Sequence, residues 1–151
     1  MTTDKRWIKE KTSNPGMCKE CGGRCCKKCG CSHFPEDLNM TFENIVKEIK
    51  ERKMSIDRLE HLGSFYNKLD EPIYFLRAAN ENEGYVAYGN IGRCVFLTEE
   101  GCKLDYESRP SGGRYIVPFW SGCYALYTPQ EFIDKWIPYQ KLLKDLIKFF
   151  S

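Results

Sequence analysis

The sequence predicts a small single α+β domain with a cysteine-rich N-terminal loop, short helices, an antiparallel hairpin sheet and a C-terminal helix. The 151-residue chain has no room for a second large core. Its middle holds aromatic and β-branched runs separated by turn residues, which is typical of short strands. Apolar residues recur at helical spacing on both sides of that middle region, which predicts amphipathic helices.

The chain opens with a polar arm, residues 1–17, and the domain proper is expected over residues 18–151. Glycines between the cysteines of residues 18–31 favour a loop there. A helix is expected next, with Thr41 as its N-cap. Its apolar face is predicted to consist of Phe42, Ile45, Val46 and Ile49. A short second helix is expected from Ser55 to about Gly63.

Two hairpins are expected in the middle of the chain. The first would pair "PIYFLRAA" (72–79) with "GYVAYG" (84–89) across the turn-rich "NENE". The second is "RCVFLTEEGCKL" (93–104), with its turn at Glu99–Gly101. These strands would form the antiparallel sheet of the α+β domain.

The C-terminal helix has a clear start signal and an internal breaker. In "TPQE", Thr128 suits the N-cap, Pro129 the first helical position and Glu131 a capping box. Pro138 should kink or split the helix. The apolar face that would cover the core consists of Phe132, Ile133, Trp136, Leu142, Leu143, Leu146, Ile147 and Phe150.

The densest chemical signal is the stretch "CKECGGRCCKKCGC". It places six of the nine cysteines of the chain within fourteen residues: Cys18, Cys21, Cys25, Cys26, Cys29 and Cys31. A C-x2-C step brings two sulfurs to one metal ion, and this stretch contains two such steps. A disulfide scaffold is the weaker alternative, because the number of cysteines is odd and a bridge between adjacent cysteines would be strained.

The remaining cysteines are Cys94, Cys102 and Cys123. Cys94 and Cys102 lie on either side of the second predicted hairpin, so antiparallel pairing would bring them near each other. Their alternative role is that of small buried hydrophobic residues. Nine thiols suffice for one four-sulfur site or for two sites, and all nine are candidate ligands. His33 is a further candidate, whereas His61 is expected to be packed or solvated.

Composition and charge exclude several classes of function. The net charge is +2, with no concentrated basic stripe that would indicate nucleic-acid binding. No segment approaches the ~20 apolar residues of a membrane span. The polar start lacks the apolar segment of a signal peptide, so a cytoplasmic location is expected. In that reducing compartment, clustered cysteines bind metals more often than they form disulfides.

Three segments in order, "CKECGGRCC", "CVFLTEEGCKL" and "RPSGGRYIVPF", resemble the CxxCxxCC family of YkgJ-like cysteine-cluster proteins, described as zinc- or iron-chelating domains. "FPEDL" (34–38) and "SID" (55–57) are also in keeping, and the likeness covers roughly residues 18–126. A related cluster occurs in flagellin lysine-N-methylases. The resemblance implies a metal- or cluster-binding domain whose ligands include Cys18, Cys21, Cys25, Cys26, Cys94 and Cys102.

This chain departs from the family pattern at two places. Three residues rather than two precede the adjacent pair Cys25 and Cys26, and Gly113 stands where the family usually has a cysteine. One expected ligand is therefore absent, and Cys123 or Cys29 could take its place.

Three functions follow from these observations. The leading hypothesis is a cysteine-cluster protein that holds an iron–sulfur cluster or zinc, accessory to a redox or methyl-transfer reaction and working with a protein partner. An enzyme acting alone is the second, although the chain has no Gly-rich nucleotide loop in the required setting. The third is a structural zinc module that binds protein or nucleic acid through Tyr85, Tyr88, Tyr115, Phe119 and Trp120.

Overall fold

Helices and antiparallel strand pairs combine in an α+β fold, as the sequence predicts. The computed structural model describes residues 30–62, 68–81, 83–87, 92–99, 101–104, 106–117 and 124–151. The helices are α1 (Phe42–Lys50), α2 (Ser111–Arg114), α3 (Pro129–Trp136) and α4 (Gln140–Phe150). The strands are β1 (Met54–His61), β2 (Lys68–Ala78), β3 (Leu97–Thr98), β4 (Gly101–Cys102), β5 (Ile116–Val117) and β6 (Tyr124–Ala125). The polar arm of residues 1–17 lies outside the described residues.

Helix α1 begins and ends with recognisable local signals. The Thr41 hydroxyl accepts a hydrogen bond from the Asn44 amide at 3.3 Å, which confirms the predicted N-cap. Ile45 and Ile49 are fully buried. The helix ends where Arg52 adopts a left-handed conformation with φ 63° and the Lys53 amide donates to the Glu48 carbonyl.

The segment predicted as a second short helix is instead strand β1. It pairs antiparallel with β2, with Ile56 opposite Leu76 and Ser55 opposite Arg77. The helix prediction was wrong because Ser55 and Asp57 are buried on one face of a strand, where hydrogen bonds from or to distant residues satisfy them. The predicted end at Gly63 lies outside the described residues.

The first predicted hairpin is also wrong in its pairing. Strand β2 contains most of "PIYFLRAA", but its partner is β1. Val86 forms an isolated parallel bridge with Ile56 instead, so this segment lies along β1. The last two residues of "GYVAYG" are outside the described ranges.

The second predicted hairpin is confirmed. Strands β3 and β4 pair antiparallel, with Leu97 opposite Cys102 and Thr98 opposite Gly101. Cys102 therefore faces Leu97 across the hairpin rather than Cys94.

The C-terminal helices close the core as predicted. The Thr128 hydroxyl accepts a hydrogen bond from the Glu131 amide at 3.1 Å at the start of α3. A 3₁₀ turn, Ile137–Tyr139, contains Pro138 and separates α3 from α4. The buried core comprises Phe34, Ile45, Ile49, Met54, Ile56, Phe75, Leu76, Phe132, Trp136, Leu143 and Leu146.

Two of the five aromatic residues considered for a binding platform pack against this core. The Tyr85 ring lies 4.8 Å from that of Phe150, and the Tyr115 ring lies 5.5 Å from that of Phe34. Tyr88, Phe119 and Trp120 lie outside the described residues. Within the described part of the chain, no helix has the length and apolar character needed to cross a membrane.

Candidate metal centre

Three of the nine predicted ligands, Cys31, Cys94 and Cys102, are described by the structure. The other six are outside the described residues: Cys18, Cys21, Cys25, Cys26, Cys29 and Cys123. Among described side chains, no group of three or more His, Cys, Asp or Glu is placed to hold a metal ion. The described cysteines can therefore form only part of a site, and their surroundings decide whether that part is suitable.

The end of the cysteine-rich loop docks onto the C-terminal end of β2. The Ala78 amide donates to the Cys31 carbonyl at 2.8 Å, and the His33 amide donates to the Leu76 carbonyl at 2.9 Å. Between these bonds, Ser32 lies directly opposite Arg77. The last residues of the loop thus add a short antiparallel segment to one edge of β2.

Gly30 allows the loop to approach this strand closely. A Cβ atom at position 30 would lie 2.0 Å from the Ala78 carbonyl oxygen, which is far inside van der Waals contact. The Gly30 amide donates a 2.7 Å hydrogen bond to the side-chain oxygen of Asn80. The glycine predicted for a loop turn is therefore required for close packing of two backbone segments.

Cys94 lies along the same strand end. The Glu81 amide donates to the Arg93 carbonyl and the Val95 amide donates to the Ala79 carbonyl, so Asn80 and Cys94 form a non-hydrogen-bonded pair. Side chains of such a pair lie close together on one face. Cys94 is 4% exposed and packs with Ala78 and Leu97.

Cys31 and Cys94 flank the strand end from opposite edges. The Ala78 amide faces Cys31, whereas the amide of Ala79 faces Lys53 and its carbonyl faces Val95. Neighbouring strands are about 4.8 Å apart, and Cys31 and Cys94 are also offset along β2, opposite Ala78 and Asn80, so their main chains are at least about 10 Å from each other. The Cys31 side chain is half-buried and close enough to Tyr127 to affect its ionisation. Burial, together with the nearby Cys31 charge, raises the pKa of the Tyr127 phenol.

A buried network of ion pairs lies at this end of β2, centred on Arg77. Arg77 is 1% exposed, and its Nε donates to Asp57 at 2.8 Å. Its two terminal nitrogens donate to the Glu83 carboxylate at 3.1 and 2.9 Å. A buried guanidinium held by two carboxylates is costly to disturb, because removing one partner leaves a charge without compensation.

The same network reaches the residue that holds Gly30. The Glu83 carboxylate also accepts hydrogen bonds from the Ser55 hydroxyl at 2.7 Å and from the Asn80 amide at 2.6 Å. Burial alone would raise the pKa of Glu83, but hydrogen bonds from Arg77, the Asn80 amide and Ser55 outweigh it and lower the pKa. Glu83 is therefore ionised near neutral pH and fixes the Asn80 backbone.

A second polar cluster holds the residues that follow the loop. The Asp37 carboxylate accepts hydrogen bonds from the amides of Phe34 and Ser111, at 2.9 and 2.8 Å. It also accepts from the Ser111 hydroxyl at 2.5 Å and from Arg114 at 2.7 Å. The segments "FPEDL" and "RPSGGR", which carry part of the family resemblance, thus meet through these residues.

Helix α2 also contacts the loop directly. The Gly112 amide donates to the Ser32 carbonyl at 2.8 Å, and a Cβ at position 112 would lie 2.4 Å from that oxygen. Gly113, the position at which the sequence resemblance leads one to expect a cysteine, is the next residue along. Position 113 is therefore one residue from the contact between Gly112 and Ser32.

The two histidines have different surroundings. The Nδ1 atom of His33 is buried without a hydrogen-bond partner, 3.9 Å from an Asp37 carboxylate oxygen. Burial lowers the pKa of His33 to about 4, with Arg114 adding to the effect and Asp37 opposing it. The ring is therefore neutral at pH 7, the form that binds metals. His61 lies at the end of β1, opposite Lys68.

The sequence interpretation missed the groups that position the loop end. Asn80 and Glu83 were included only in a turn signal, and Arg77 only in a strand. Asp37 and Arg114 belonged to segments noted for resemblance, but their pairing spans 77 residues. The available signal was the presence of charged residues inside or beside apolar strands.

Searches of protein-family models, curated proteins and solved structures find no match to this chain.

Proposed function

We propose that this chain is a cysteine-cluster protein whose thiolates hold an iron–sulfur cluster or zinc. The observation that supports this most is the convergence of loop and sheet: the loop end at Cys31 and the distant Cys94 flank one strand end, held by buried polar networks. The proposed ligands are drawn from Cys18, Cys21, Cys25, Cys26, Cys29, Cys31, Cys94, Cys102 and Cys123.

The donor set suits either type of centre. Zinc and iron–sulfur clusters both accept four thiolates, so the ligand type fits both. Cys94 is buried beside Ala78 and Leu97, and a dry, apolar side of this kind protects a thiolate–metal bond from solvent. When bound, the metal would cross-link the loop to the sheet.

The spacing of the two flanking cysteines bears on the size of the centre. Sulfurs that share one zinc ion lie within about 4 Å of each other, given Zn–S bonds of ~2.3 Å. Two cysteines whose main chains are at least about 10 Å apart do not readily bring their sulfurs within that distance. This spacing favours a polynuclear cluster, or two neighbouring sites, over a single zinc ion shared by Cys31 and Cys94.

The wider biological role follows from this chemistry. A thiolate centre of this kind is maintained in a reducing compartment, which supports a cytoplasmic location. We propose an accessory role in a redox or methyl-transfer reaction carried out with a protein partner.

The first test is the metal content of the anaerobically purified protein. Bound iron and sulfide with absorbance near ~400 nm would identify a cluster, and a colourless protein with stoichiometric zinc would identify a zinc site. Protein that contains neither, and takes up neither on reconstitution, would contradict the proposed function.

Variants test the part played by Cys94. We expect Cys94→Ala to lose bound metal, because the substitution removes a thiolate. Leu97→Ala is the matched control, since it disturbs the same buried cluster but leaves every thiol in place. If Cys94→Ala retains full metal content, Cys94 is a buried hydrophobic residue and not a ligand.

A further inference from the structure

The Asn80 side chain joins the loop end to the strand position opposite Cys94. Its side-chain oxygen accepts the 2.7 Å hydrogen bond from the Gly30 amide, and its backbone pairs with Cys94. One buried residue thus touches the residue preceding Cys31 and lies beside Cys94.

Asn80 is itself held on several sides. Its amide donates to Glu83 at 2.6 Å, and Glu83 is fixed by the buried Arg77. A Cβ at Gly92 would lie 3.3 Å from the Asn80 Cβ, so that backbone packs closely against the asparagine. These contacts leave the side chain little freedom and orient its oxygen towards Gly30.

The Asn80–Gly30 hydrogen bond fixes the position of the loop end rather than adding to hydrophobic packing. The Gly30 amide is buried, and a buried donor without a partner is unfavourable. An amide oxygen fixed on one strand therefore sets where the loop end lies relative to Cys94. Groups that orient metal ligands in this way commonly change metal affinity when they are substituted.

We propose that Asn80 is a positioning residue that places the Cys31 end of the loop relative to Cys94 for binding of a shared metal centre. This inference rests on the proposed function. Asn80 itself contributes no thiolate. Its substitution should weaken metal binding while the hydrophobic core, which lies elsewhere, remains folded.

Reconstitution of the metal-free full chain with iron and sulfide, in parallel with cobalt(II) titration under zinc(II) competition, tests the proposal for a cluster and for a single-metal site. Thiolate-to-cobalt absorption reports the number and geometry of the sulfur ligands, which a purely structural role would leave unchanged. We expect Asn80→Ala to lower metal affinity about 10–100-fold and to alter that spectrum. Asn44→Ala removes an exposed 2.9 Å hydrogen bond from the Asn44 side chain to the Asn39 carbonyl, at the start of α1, and should bind as the wild type does.

Gly30→Ala provides the reciprocal change from the loop side. Its methyl group would clash with the Ala78 carbonyl and displace the loop end while Asn80 stays intact. We expect the same loss of affinity, with far-ultraviolet circular dichroism close to that of the wild type.

The outcomes separate the two proposals. If the wild type binds neither cobalt nor zinc and takes up no cluster, the proposed function fails and this inference fails with it. If the wild type binds metal and either folded variant binds as tightly, with an unchanged spectrum, the role of Asn80 is refuted and the proposed function stands. If neither variant folds, Asn80 and Gly30 belong to the folding core, and the positioning role is again refuted.

Discussion

Substituting Asp37 should destabilise the protein far more than substituting its neighbour Glu36. Asp37→Ala removes the acceptor of two backbone amides, one hydroxyl and one guanidinium. The Asp37 side chain is 9% exposed and that of Arg114 is 22% exposed, so water replaces these bonds poorly. Each buried donor left without a partner costs about 1–3 kcal/mol.

The total is smaller than the sum of these costs, because the Arg114 side chain retains some access to solvent. Counting mainly the Phe34 amide and the two Ser111 donors, we expect a loss of about 3–5 kcal/mol in the free energy of unfolding. Such a value lies at the upper end for a single substitution. The Asp37→Ala substitution would also release α2 from its position against Ser32.

Glu36→Ala is a matched control within the same turn. The Glu36 carboxylate forms an ion pair with the Lys135 ammonium at 2.9 Å, but the two side chains are 56% and 39% exposed. An exposed pair of this kind contributes about 0–1 kcal/mol. Urea unfolding followed by circular dichroism, with the midpoint and slope fitted for each variant, measures the difference. If the two variants unfold within about 1 kcal/mol of each other, Asp37 does not connect these segments.

Three further predictions concern other parts of the structure. Because Arg52 has φ 63°, the Arg52→Gly variant should be more stable than Arg52→Ala by about 1 kcal/mol. Both variants lose the contact with Tyr85, so equal melting temperatures would contradict the backbone explanation. The pKa of Glu83 is lowered from 4.5, so its stabilising effect is present above that pH and is lost as the pH falls through the lower, folded-state value. Glu83→Gln should therefore show a shallower acid decline in unfolding free energy between pH 7 and 3, and identical slopes would refute this. Chelation should lower the melting temperature, because metal binding adds to folding free energy; an unchanged melt after elemental analysis has verified metal removal would count against a metal that supports the fold.

Local signals predicted the parts of the fold that depend on neighbouring residues. The hydroxyl oxygens of Thr41 and Thr128 each accept a hydrogen bond from the amide three residues later, and both helices begin there. Pro138 separates α3 from α4 because it lacks the amide that would continue the helix. The "TEEG" turn is contained within the short β3–β4 hairpin. In each case the cause and the effect lie within a few residues.

Long-range charge pairing explains what could not be predicted. Ile56 and Leu59 are three residues apart, a spacing that also suits one face of a helix. In the fold, Asp57 is buried with Arg77, 20 residues away, as its hydrogen-bond partner, and Ser55 is buried with Glu83, 28 residues away, as its partner. No local propensity reports such a partner, so tertiary contacts override the helical pattern.

The same separation applies to the candidate metal centre. The end of the cysteine-rich loop is anchored by backbone groups: the Gly30 and His33 amides donate hydrogen bonds, and the Cys31 and Ser32 carbonyls accept them. If a metal binds as proposed, docking of the loop end and binding of the metal would be distinct steps. Cys94 lies beside the anchored segment through its pairing with Asn80. A site whose ligands are positioned before a metal arrives loses less conformational entropy on binding, so on this proposal the polar networks would raise metal affinity without contributing a ligand.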